Sequence, residues 1–129
     1  MISMILGSYI FSLHTAAYET LQRTTSYRWK AQERIGQRPA QQFLGIGSDE
    51  ITLNGTILPD FAGGHSQIVR MKSSAEEGKP LMLVSGTGAI LGKWCIVKIA
   101  ETNSILLSNG VGRKIEFTMN LIRYGEDDE

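Results

Sequence analysis

The chain has 129 residues, 42% hydrophobic and 20% charged, a balance that fits one globular domain and excludes a largely disordered segment. Thirteen basic residues meet thirteen acidic ones, so the net charge is zero, which argues against a dedicated nucleic-acid binder with its usual basic excess. A lone cysteine, Cys95, excludes an intramolecular disulfide. No apolar run approaches the roughly 20 residues of a membrane span, and the opening lacks the basic start of a signal peptide, so folding in a cytoplasm is expected.

In chain order, Met4, Leu6 and then Tyr9 to Leu13 suggest a first strand. From Leu21 the alternation is long. Leu21, Arg23, Thr25, Tyr27, Trp29 and Ala31 fall on one face, while Gln22, Thr24, Ser26, Arg28, Lys30 and Gln32 form a wholly polar second face. This predicts a half-buried strand or extended hairpin arm, well beyond the usual strand of about 5–6 residues. Gly36 to Pro39 break the pattern. Gln42 to Leu44 suggest a short strand, Gly45 to Asp49 a turn, and Ile51, Leu53, Gly55 and Ile57 resume alternation before a loop from Pro59 to Gly64.

One helix follows, with Ser66 as its cap, Ile68, Met71 and Ala75 on its apolar side, and Gly78 and Pro80 as its stop. Glu76 and Glu77 oppose the helix dipole at that end and point to a contact with something basic. Leu81 to Val84, Ile90 to Ala100, Ile105 to Leu107 and Ile115 to Leu121 read as strands. Turns are expected at Gly86-Thr87-Gly88, near Asn103 and at Ser108-Asn109-Gly110. The fold class is therefore mainly β with one helix: an antiparallel two-sheet sandwich or open barrel with a flanking helix, since alternating βαβ units are missing. Residues 1–125 form one domain and 126–129 an acidic tail.

The residues carry no recognisable catalytic motif. Counting back from Gly92-Lys93, a phosphate-binding loop needs its first glycine at position 87, where Thr87 stands, and Trp94 occupies the place of the magnesium-binding hydroxyl. Cys95 lies between Trp94 and Ile96 and reads as a small buried side chain. His14 and His65 have no motif partners for nucleophilic or metal chemistry. Tyr27 and Trp29 beside Arg28 and Lys30 could stack bases and hold phosphates, but core anchoring of the two rings is the expected role. No enzyme, cofactor or metal is expected. Arg23, Arg28, Lys30, Arg34 and Arg38 face only Glu33, a basic stretch suited to a complementary patch on another subunit.

Four ordered stretches go further: Gly7 to Leu13 with Tyr18 to Trp29, Arg38 to Gly45, Ile51 to Gly64, and Arg113 to Thr118. In this order and spacing the chain resembles the GpU tail-protein family of P2-like phages. The resemblance implies a tail-tube-like fold and a minor structural protein of a contractile tail. It also implies assembly in the host cytoplasm and a ring of subunits, a hexamer, near the junction of tube, hub and tape-measure protein in the baseplate region. The alternatives are a terminator at the head-proximal end of the tail and, from another class, a small nucleic-acid-binding module. Candidate subunit-interface residues are Arg23, Tyr27, Arg28, Trp29, Lys30 and Arg34, on the arm from Leu21 to Arg34.

Overall fold

The computed structural model describes residues 2–12, 17–57, 65–105 and 113–125. Its elements are β1 (Ile2–Leu6), β2 (Tyr9–Ser12), β3 (Ala17–Gln32), β4 (Ala40–Ile57), α1 (His65–Glu76), β5 (Leu81–Ser85), β6 (Ile90–Ile105) and β7 (Arg113–Arg123). All seven strands join one antiparallel sheet in the order β2-β1-β5-β6-β7-β4-β3. Of the forms left open by the sequence, the chain takes an open one: mainly β, antiparallel, with a single helix against the sheet, and with one continuous sheet instead of two.

The core follows from the period of two. Ile51, Leu53 and Ile57 of β4 face the same side as their partners Leu121, Met119 and Ile115 of β7, and all six are buried. Trp94, Leu83, Leu6, Met4 and Phe11 continue this apolar surface across the sheet, and α1 adds Ile68 and Met71. Burial of one such side chain contributes about 1.5–3 kcal/mol. The helix is tied down by polar contacts as well. The Tyr9 hydroxyl donates to Gln67 Oε1 at 3.0 Å, and Lys72 Nζ pairs with Glu101 at 2.7 Å. Gly78, with φ of 67°, ends the helix turn as anticipated.

Several expectations need correction. The first strand is a hairpin, because Leu6 pairs with Tyr9 across a two-residue turn at Gly7-Ser8, where Gly7 has φ of 61°. Helix α1 begins at His65, so Ser66 lies in its first turn and not ahead of it. Asn103 is no turn: it pairs with Ile115 inside β6, and β6 ends at Ile105. Cys95 is half-buried, since its partner Ile122 lies on the outer face of the sheet. Most consequentially, Gly45 to Asp49 do not turn the chain. β4 continues through them with one β-bulge at Gly47-Ser48 and a second just beyond, at Leu44. His14, the loop from Pro59 to Gly64, the turn at Ser108-Asn109-Gly110 and the acidic run 126–129 lie outside the described residues.

Candidate subunit interface

Strands β3 and β4 pair from Ala17↔Thr56 to Gln32↔Ala40. On its other edge β4 is paired by β7 only from Glu50 to Ile57. Beyond Asp49 the hairpin therefore continues as a ribbon of two strands, extending roughly 25 Å at 3.4 Å per residue. Between residues 26 and 48 every residue is exposed except Ala40 and Gly45, which are half-buried. Of the two forms expected for this stretch, the chain takes the extended hairpin arm, and the expected core anchoring of Tyr27 and Trp29 is overturned. Their face is the core face of the sheet, but no further strand or helix reaches it there among the described residues. Tyr27 and Trp29 are 60% and 58% exposed.

The faces are set by register. Strand β3 is regular from Thr20 to Gln32, whereas β4 holds one extra residue between Asp49 and Ile46 and another between Gly45 and Phe43. Asp49 and Ile46 are three positions apart, which would place them on opposite faces of a regular strand; the bulge returns Ile46 to the face of Tyr27. Gly45, with φ of 116°, supplies the backbone conformation at the second bulge. The outcome is an apolar stripe of Tyr27, Trp29, Phe43 and Ile46. The Phe43 ring lies 4.9 Å from Trp29 and 6.5 Å from Tyr27. Phe43 and Ile46 are themselves 50% and 66% exposed.

The six predicted interface residues thus fall on one arm but do not form one patch. Arg23 lies at its base, where the globular part ends. Its Nε and Nη2 donate to Asp49 at 3.0 and 2.6 Å, Thr25 donates to the same carboxylate at 3.1 Å, and the guanidinium lies 5.2 Å from the Trp94 ring. The hydrogen bond from Arg23 holds Asp49 below the usual carboxylate range, and the same bond raises the already high pKa of Arg23. Arg28 and Lys30 face away from the aromatic stripe, on the polar side, opposite Gly45 and Gln42. Arg34 is at the tip, where Nε and Nη2 donate to the Arg38 carbonyl at 3.0 and 2.7 Å and brace the turn.

Asp49, Phe43 and Ile46 are not among the residues the sequence points to, because glycines in a strand resemble a turn where they in fact mark bulges. An isolated glycine amid strand residues was the available signal. Chemically, the arm can do two things. Among the described residues its backbone edges are open to strand addition on both sides, and it offers an apolar stripe backed by a polar face that carries Arg28 and Lys30. Among the described residues, no three His, Cys, Asp or Glu side chains converge as a metal site.

Comparison with known proteins agrees with the phage-tail resemblance. The family described as Phage P2 GpU matches residues 7–126. A relative from Halomonas phage phiHAP-1, named "Probable tape measure protein", is 28% identical over 126 residues. The match takes in 96% of this chain but only 14% of the relative, so this chain corresponds to a small part of that protein.

Proposed function

We propose, for a chain that belongs to the Phage P2 GpU family and is a phage-tail-related structural protein, a specific role as a ring-forming part of a contractile tail. The ring, a hexamer, acts in assembly at the junction of tail tube, hub and tape-measure protein, and the chain has no catalytic step of its own. The observation that carries this reading is the arm. An isolated two-stranded ribbon is marginal in water, and this one leaves four large apolar side chains half or more exposed. Such a stripe is a surface awaiting cover.

The mechanism is geometric. The open edge of β3 accepts backbone hydrogen bonds from a neighbour, each contributing about 0.5–1.5 kcal/mol, while the aromatic stripe is buried in the same step. Repeated head-to-tail contacts close into a ring. The location near the tape-measure protein draws on the Halomonas phage relative, in which a region like this chain is continuous with a longer protein of that name. Segments joined in one chain stay adjacent by construction.

The test has two parts. Light scattering over a range of concentrations should give a discrete ring, and the purified ring should capture the tape-measure protein of the same phage. A monomer at every concentration that also fails to capture that protein removes the proposal. A ring found by labelling at the head-proximal end of assembled tails would favour the terminator role instead.

A further inference from the structure

The ring reading leaves open where the arm lands on its neighbour, and the tip of the arm carries an uncommon feature. Ile35, next to Gly36 in the turn, is fully solvent-exposed (102%) and is the most exposed large hydrophobic side chain among the described residues. It is flanked by Arg34 and followed by Arg38, against the single acid Glu33. The tip is thus an apolar knob in a basic collar.

At the other end of the sheet order lies a surface of complementary character. A groove of about 550 Å³ opens between β2 and α1, with Tyr9 and Ile10 as its apolar wall and Ser73 and Ser74 along the helix. Glu77 stands on its rim, just past a last helix turn that holds no basic residue, while Glu76 lies toward β6, beside Lys72 and Lys98. The carbonyl end of the helix adds its own partial negative charge there. Arg70 on the same rim offsets only part of this. Among the described residues Glu77 has no ion-pair partner within its own chain. A carboxylate at the carbonyl end of a helix is disfavoured there unless a cation arrives.

Resting on that reading of self-assembly, we propose that the tip of the arm, Ile35 with Arg34 and Arg38, docks in the β2–α1 groove of a second copy of this chain. The knob meets the Tyr9–Ile10 wall, and the collar meets Glu77 and the carbonyl end of the helix. Knob and groove are different surfaces at opposite ends of the sheet order, β3 and β2, so the contact can repeat head to tail in one direction. That directionality is what a ring requires, and it distinguishes this contact from a symmetric pairing of two arms.

Three variants of the full chain test it by light scattering and sedimentation. All change exposed side chains, so each monomer should keep the wild-type circular dichroism spectrum and melting temperature. Ile35→Asp and Glu77→Arg should each weaken self-association about tenfold or more. Because each spoils only one of the two surfaces, mixing them should give a one-to-one dimer that grows no further. Arg38→Glu should weaken assembly as well, and combining it with Glu77→Arg should restore association to within about threefold of wild type. If wild type assembles while the mixture stays monomeric or the charge exchange restores nothing, the docking site is overturned and the ring reading stands. If wild type never self-associates, the docking site is overturned, and capture of the tape-measure protein then decides the tail-assembly reading separately.

Discussion

Replacing Trp29 with alanine separates an interface residue from a core residue by magnitude. A core tryptophan costs about 3–5 kcal/mol on truncation. Trp29 is 58% exposed, and its ring touches one aromatic neighbour, Phe43, at 4.9 Å. The monomer therefore loses one cross-strand aromatic pair, about 0.5–1.5 kcal/mol. In an assembly that covers the stripe, the same truncation empties a desolvated pocket and costs about 2 kcal/mol or more, roughly 30-fold in association. The assay is a pair of measurements on one preparation: urea unfolding at a concentration where wild type is monomeric, and the mass distribution at a concentration where it is assembled. The expected result is a small shift in the urea midpoint, an unchanged slope, and loss of the assembled species. Destabilisation of the monomer by more than about 3 kcal/mol would mean that the ring is buried in the folded chain. Unchanged assembly would mean that the stripe faces water in the ring too.

Two further outcomes follow from the arm's root and from the first hairpin. Asp49→Asn removes the carboxylate that Arg23 and Thr25 hold. At neutral pH the loss should be about 0.5–1 kcal/mol, kept small because the Arg23 side chain is 39% exposed and screened by solvent. Asp49 is lowered in the folded state, so its contribution is fully present above the ordinary carboxylate pKa and is lost as pH falls through the folded value. Urea melts from pH 7 downward should show the difference between wild type and variant shrinking only in acid. Gly7→Ala places a Cβ 2.9 Å from Leu81 Cδ2 at a backbone with φ of 61°, and thermal unfolding should register a loss of about 1–2 kcal/mol.

What could be read from the sequence depended on whether a feature is local. Strand β7 was legible because Ile115, Phe117, Met119 and Leu121 alternate without interruption and all face the core. Helix α1 was legible because its end is written in adjacent residues, Gly78 and Pro80. The alternation of β3 was legible too, but its environment was not. Burial of Tyr27 and Trp29 depends on whether another element crosses their face, and β7 stops pairing with β4 at Glu50. Contacts between distant positions escaped in the same way. Arg23 meets Asp49 across 26 residues and Tyr9 meets Gln67 across 58, and neither pair leaves a trace in local spacing. The turn expected at Gly45 to Asp49 failed for a related reason. Glycine, serine and aspartate suit a turn and a bulge equally, and only the partner strand decides which forms.

The bulges themselves carry a last consequence. Gly47 and Ser48 lie opposite the single residue Ser26, so β4 is one residue longer there than its partner. Deleting Ser48 removes the surplus without moving any pair beyond it. Asp49 stays opposite Thr25, and Ile46 stays opposite Tyr27 on the aromatic face. The shortened ribbon should therefore fold, with a monomer as stable as wild type, since β4 from Glu50 onward and its pairing with β7 are untouched. What changes is direction, because a bulge bends its strand and increases the local twist. If the bend aims the arm at a neighbour, the deletion variant should be a well-folded monomer with its stripe intact but no assembly, seen as a native urea midpoint beside a monomeric mass. Normal assembly of that variant would show that the stripe alone suffices and that the aim of the arm does not matter.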